Sequence, residues 1–183
     1  MDKGGDSLLS RLRDGDSRSF GWVVEHHTDM VYSVAYGILG DAQDAEDVCQ
    51  EVFLRLFRAA PTLPAQTQLR SYLYRVCVNC CLDELRRKSR QVTTNSLAEV
   101  GELRADLPTP LQVVANCQLR ERVVAALQKL SSSQRVAFVL RHFQGLKVAE
   151  VADVMGCAPG TVHSHLARAV KRLRDLLGDL SVE

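Results

Sequence analysis

No stretch of the 183 residues approaches the ~18 consecutive apolar residues that a membrane-spanning helix requires, so no membrane insertion is expected. The opening residues, MDKGGDSLLSRLRDGDSRSF, interleave charge with leucine and lack the apolar core of a secretory signal, which makes the cytoplasm the expected location. A glycine loop that cradles phosphate is missing, as are a serine nucleophile elbow and an HExxH zinc helix, and the five histidines are not paired with acids at ligand spacing. The chain is therefore not expected to be an enzyme or to hold a cofactor. Alternation of apolar and polar residues with period two is absent as well, which leaves an all-α fold. What is present is an ordinary globular mixture, 46% hydrophobic and 25% charged. The length suits one ordinary domain or two small ones.

Lys and Arg total 23 against 22 Asp and Glu, a net +1 that excludes a uniformly basic nucleic-acid binder and conceals a segregation. Residues 1–51 carry 4 basic and 11 acidic side chains, whereas residues 52–90 carry 8 basic and 2 acidic. Arg168, Lys171, Arg172 and Arg174 precede any acid in the last stretch, so residues 159–174 are purely cationic. Two basic segments that each end an apolar-periodic run point to a polyanion partner; a solvated helix face is the alternative for either one alone.

Phe20, Val23, Val24, His27, Val31, Val34, Ala35 and Ile38 recur at helical steps and predict a helix ending near Gly37 to Gly40. Asp41 opens a second helix, with Val48, Val52 and Leu56 on one stripe. Pro61 and Pro64 bound a polar loop over 61–68, and a third helix runs from Leu69 through Cys80 into the basic run Arg86, Arg87, Lys88, Arg90. Residues 91–109 have few large apolar groups and no periodicity and read as a linker, so the expected organisation is two small helical domains, 1–90 and 110–183. In the second, Thr109 and Pro110 are a cap and a first-turn proline, and Ser131 with Gln134 has the pattern of a capping box. Gly145 ends that helix.

From Leu146 the chain reads LKVAEVADVMGCAPGTVHSHLARAVKRLRDLL. A short helix over Val148, Val151, Ala152 and Met155, a turn at Gly156, and a longer helix after Pro159 with a cationic outer face make a helix-turn-helix, whose second helix enters the major groove. If Val162, Leu166, Ala169, Val170, Leu173 and Leu177 pack inward, Thr161, His163, Ser164, His165, Arg168, Lys171 and Arg172 point outward. Arg suits a guanine edge, Ser and His single base contacts, and Thr161 a phosphate. A helical hairpin with a solvated charged face is the competing reading.

Three segments in this order, DAQDAEDVCQEVFLRLFRA (41–59), LRSYLYRVCVNCCLDELRRKSR (69–90) and LSSSQRVAFVLRHFQGLKVAEVADVMGCAPGTVHSHLARAVKRLRDLL (130–177), make the chain resemble the extracytoplasmic-function sigma factors of bacterial RNA polymerase. These are the minimal class, with regions two and four joined by a linker. The resemblance implies that Asp47, Gln50, Glu51 and Arg55 bind the β′ clamp helices of core polymerase, with the β flap as a further contact. The charges agree, since this helix carries no base before Arg55. The resemblance also implies that residues 61–90 melt the minus-10 element and capture a base: Asn79 bonds to it, Tyr72 or Tyr74 stacks, and Arg70, Arg75, Arg86, Arg87 and Lys88 hold the backbone. Tyr72 and Leu69 stand where the family usually has Trp and Phe. In the last helix, His163, Ser164, Ala167 and Arg168 would lie near minus-35 base edges, and Thr161, His165 and Lys171 near phosphates. The linker would thread near the RNA exit path, and an anti-sigma protein would hold the chain inactive, in some cases at the membrane.

Of the six cysteines, Cys49, Cys77, Cys80 and Cys81 include a CVNCC string that looks like a metal or redox motif. It lies inside a helix where the family has small or apolar residues, so small buried hydrophobes are expected and no metal. A zinc or oxidant sensor built on Cys49, Cys77, Cys80 and Cys81 is one alternative. A stand-alone helix-turn-helix regulator is the other; the acidic helix argues against it. Positions 163 and 165 are commonly Lys or Arg in the family, and an ordinary imidazole is mostly neutral at pH 7. Ala158 and Lys147 replace the Ser or Thr expected at two helix caps, each a loss of ~1 kcal/mol. The expected minus-35 affinity is therefore modest and strengthens as pH falls from 8 to 6. An affinity of the C-terminal domain for its own promoter that does not change with pH would contradict this.

Overall fold

Asp16 begins the main body of the fold by accepting hydrogen bonds from the backbone N–H groups of Arg18 and Ser19, both at 3.2 Å, and from the Ser19 hydroxyl at 2.6 Å. It caps α2 (Ser17–Leu39), which follows a shorter α1 (Gly4–Arg13). The computed structural model describes residues 4–94 and 121–177. Gly40 ends α2 in the left-handed conformation, φ +75°, a geometry that glycine adopts without strain. Gly37, expected near the helix end, lies inside it. Asp41 caps α3 (Ala42–Ala59) by accepting from Asp44 N–H at 2.9 Å. The polar loop after α3 starts as a 3₁₀ turn, Ala60–Thr62, with Pro61 in its first positions.

α4 (Leu69–Thr94) runs past the basic run and takes in the first four residues expected to be linker. The remaining linker residues, the Thr109–Pro110 start and Cys117 lie outside the described residues. The C-terminal half opens with α5 (121–127) and α6 (Ser132–Phe138). The capping box at α6 is formed: Gln134 N–H donates to Ser131 Oγ at 3.5 Å, and Ser131 N–H to Gln134 Oε1 at 3.4 Å. α6 continues as a π turn over Val139–Phe143, and Gly145 leaves it with φ +70°. α7 (Val148–Met155) lacks the Ser or Thr cap, but Glu150 Oε2 accepts from Lys147 N–H at 2.6 Å and supplies half of a capping box instead. Gly156, φ +62°, makes the turn, and α8 (Pro159–Leu177) follows.

α2, α3 and α4 pack against one another, and α8 packs on α6 and α7. Val31, Ile38, Val52, Leu56, Leu73 and Val78 fill the first bundle, and Leu127, Val136, Leu140, Val151, Val162 and Leu173 the second. The two share one contiguous core, because α2 touches α6 and the π turn while α4 touches α7. No strand occurs among the described residues, as the lack of period-two alternation predicts. Leu73, in the second turn of α4, has no exposed surface. Leu73→Ala is therefore expected to lower the unfolding free energy by about 2–5 kcal/mol in a denaturant titration. A loss under ~1 kcal/mol would contradict this packing.

Candidate functional site

On α3 the helical repeat puts Asp47, Gln50, Glu51 and Leu54 on one outward stripe. Asp47 and Gln50 are exposed, and Glu51 and Arg55 are joined by an ion pair in which Arg55 Nε donates to Glu51 Oε1 at 2.7 Å. The hydrogen bond from Arg55 holds the Glu51 carboxyl below its ordinary range. Two apolar side chains interrupt this acidic face: Leu54 and Phe57 are 48% and 59% exposed. Phe57 meets Phe20 edge to face, with ring centroids 5.3 Å apart. The charge pattern of the sequence points to the acids; the exposed Phe57 is legible only once the core is known, because in isolation it reads as a core residue.

On α4, Arg70, Arg75, Asn79, Arg86 and Arg87 are exposed and Tyr72 is half-buried. Tyr74 is buried, in contrast to the expectation that it offers a stacking face: its hydroxyl is 3.1 Å from Arg70 Nη2 and donates to Gln144 Oε1 at 3.3 Å, and the Arg70 guanidinium lies 5.6 Å from its ring centre. Tyr72 is thus the tyrosine with an accessible face. The basic end of the helix is already paired, Arg86 with Asp83, Arg87 with Glu84 through two bonds, and Lys88 with Asp44 of α3. The exposed pairs are worth little and can exchange for another anion. A cleft of about 830 Å³ opens beside Arg70, Tyr72 and Arg75, with the 64–68 loop at its edge and the second bundle as its far wall.

On α8, Thr161, His163, Ser164, Ala167, Arg168, Lys171 and Arg172 are all exposed, while Val162, Ala169 and Leu173 are buried. Two expectations are corrected. His165 is half-buried with its Nδ1 enclosed and without a hydrogen-bond partner, since it follows Val162 and precedes Ala169 close to the packed stripe. Val170, expected to pack inward, is 37% exposed. The Ser164 hydroxyl donates back to Gly160 O at 3.0 Å.

Two family profiles match this arrangement, Sigma-70 region 2 over residues 23–91 and Sigma-70 region 4 over residues 120–173. The ECF RNA polymerase sigma factor SigM of Mycobacterium tuberculosis is 32% identical over 176 residues, covering 95% of this chain and 85% of that protein. The chain belongs to the extracytoplasmic-function sigma factors of RNA polymerase. Another relative, SigE of Mycolicibacterium smegmatis, is 35% identical over 162 residues; the match takes in 88% of this sigma factor but only 62% of SigE. The structure of CnrH in complex with the cytosolic domain of CnrY superposes with a TM-score of 0.72 at 24% identity, over 97% of this chain and 99% of CnrH, which establishes a common fold.

Four of the six cysteines of this sigma factor pack in the core. Cys49, Cys77, Cys80 and Cys81 are all buried, and no group of three or more metal-ligating side chains occurs among the described residues. Cys77 points its thiol at Val31 O, 3.6 Å away across the α2–α4 contact. Burial pushes the Cys49 thiol up to about 12 and the Cys80 thiol up to about 11, so neither forms appreciable thiolate at pH 8. Treatment of the native protein with iodoacetamide at pH 8, mapped by mass spectrometry, is expected to leave these four unmodified until denaturant is added. Rapid native labelling of Cys80 would contradict the buried arrangement.

Proposed function

We propose that this sigma factor docks on core RNA polymerase through the exposed face of α3 and directs initiation by reading two promoter elements. The Sigma-70 region 4 bundle reads the minus-35 duplex with α8, and the region 2 bundle captures the opened minus-10 strand on α4. The observation that carries this reading is the joint presence, on one core, of an outward acid stripe on α3 and an outward acid-free cationic face on α8. A stand-alone DNA-binding regulator has no use for the first of these. Asp47, Gln50 and Glu51 offer acceptors to a basic protein surface, and Leu54 and Phe57 offer it apolar area.

Arg168 and Lys171, one turn apart on α8, suit a guanine edge and a phosphate, and Tyr72 with Arg70 and Arg75 suits an unstacked base and its backbone. Stacking contributes ~1–3 kcal/mol per base, comparable to unstacking one, so capture favours opening without nucleotide hydrolysis. The polymerase performs the chemistry, and this chain contributes recognition. One structural neighbour, the sigma factor RpoE of Bartonella quintana, was solved in complex with the anti-sigma factor NepR, which supports a protein inhibitor of that class for this chain.

Run-off transcription with purified core polymerase and a promoter library tests the reading, with initiation at a defined subset of promoters as the expected outcome. Asp47→Lys is expected to weaken core binding by an order of magnitude while leaving minus-35 duplex binding unchanged. Arg168→Ala is expected to cost about 1–3 kcal/mol at one base position of the minus-35 element. Failure of the wild-type chain to bind core or to start any transcript would reject the reading.

A further inference from the structure

Trp22, the single tryptophan of the chain, stands on the outer side of α2 with 46% of its surface exposed. Its ring is held in place. The imidazole of His26, one turn on, stacks against it with centroids 3.9 Å apart and an interplanar angle of 21°. His26 Nδ1–H donates to the Trp22 carbonyl at 2.8 Å, which fixes the imidazole over one face of the indole. The exposed surface therefore belongs to the other face and the edges of a ring whose rotamer is already set, and a preorganised ring binds a flat ligand at a lower ordering cost. His27 links this pair to α4. Its ring meets Trp22 at 60° with centroids 6.4 Å apart, and it is half-buried with its Nδ1 enclosed. Burial first, and then the charge of Arg70, hold the His27 pKa below the ordinary imidazole value, so Arg70 of α4 lies within electrostatic reach across the α2–α4 contact. The Tyr74 ring beyond it is not available, since its hydroxyl is held by Arg70 and by Gln144, which in turn donates to Ser33 Oγ of α2 at 3.2 Å.

We propose that Trp22, backed by His26, is a second base-stacking platform of the region 2 bundle and takes a further unpaired base of the strand that α4 captures. This rests on the reading of α4 as the strand-binding face. Arg70 and Tyr72 are about 200° apart around the first turns of α4, with Arg75 between them on the outer side. Tyr72 lies on the α3 side, near Arg55, and Arg70 on the α2 side, near His27. A strand that stacks one base on Tyr72 and lays its phosphates on Arg75 and Arg70 therefore crosses α4 and arrives at α2 beside Trp22. One helix diameter plus one interhelix spacing makes this path on the order of 20 Å, a few nucleotides long. Glu25 and Asp29 are exposed on the same stripe of α2, so the surroundings of Trp22 repel a phosphate and suit the flat, uncharged part of a nucleotide. Every base has a π face, so such a platform adds affinity without sequence preference. It acts by opposing re-pairing of the opened element, and so on the lifetime of the open complex rather than on the choice of promoter.

The test uses the holoenzyme and a fork made from a promoter recovered by run-off transcription, with a duplex minus-35 element and the captured strand single from the minus-10 element onward. Trp22→Ala is expected to weaken fork binding at least fivefold, the low end of what one stacked base is worth. Trp22→Phe, which keeps a ring, should recover most of that loss, and binding of core polymerase without DNA should be the same for all three chains. Abasic substitutions along the single strand should reveal one position, distinct from the one coupled to Tyr72→Ala, where removal of the base costs the wild type at least fivefold and costs Trp22→Ala nothing further. Unchanged fork affinity of Trp22→Ala, or a loss that couples to no abasic position, would overturn the proposal. So would weakened core binding without DNA, which would make Trp22 a contact to polymerase. Fork binding that is indifferent to Tyr72→Ala and Arg75→Ala would instead reject the underlying reading of α4.

Discussion

A guanidinium with no carboxylate partner among the described residues ties the two halves of this protein together. Arg135 donates to the carbonyls of Ile38, Gln128 and Leu130 and to the Gln128 side chain, while burial pulls its pKa down. A buried cation is costly, and here the offsetting charge is the carbonyl end of α2, whose macrodipole is negative there. The arrangement works only if α2 terminates against α6, which is why Gly37 and Gly40 stand at the approach. With that contact fixed, α7 falls over α4 and Gln144 reaches both Ser33 and Tyr74. Hydrogen bonds to a charged group contribute about 1.5–3 kcal/mol each, and the apolar core that the two bundles share adds to them.

The near-zero net charge acquires a physical meaning in this arrangement. The basic end of α4 is neutralised by Asp44, Asp83 and Glu84, and the basic wall of the cleft faces Glu150 and Asp153. The outer face of α8 presents cations with no acid among them before Asp175. Phosphate contacts supply most non-specific DNA affinity, so a chain of net charge +1 is expected to bind DNA weakly by itself.

Much of this was legible in the sequence where the signal is local. The α7–Gly156–α8 unit shows itself through its apolar period, its glycine and its cation run, and the Ser131–Gln134 box forms as its pattern predicts. The acid stripe of α3 was equally visible, because i, i+3 and i+4 positions fix which residues share a face. What was not legible depends on partners far along the chain. Tyr74 turns inward to donate a hydrogen bond to Gln144, 70 residues away, and Arg135 is buried against the carbonyl of Ile38, 97 residues before it. Periodicity also fails at stripe edges, where His165 turned partly inward and Val170 outward. At the start of α7 Glu150 makes only the reciprocal half of a capping box, by accepting from Lys147 N–H, so the acceptor that a Ser would supply is still lacking. The π turn that carries Gln144 across to α2 has no sequence signature.

Docking of core polymerase on the outward face of α3 is the central claim, and photocrosslinking from a probe at Leu54, which is exposed, tests it most directly. An adduct with polymerase is predicted in the absence of DNA. No adduct from that position would contradict it.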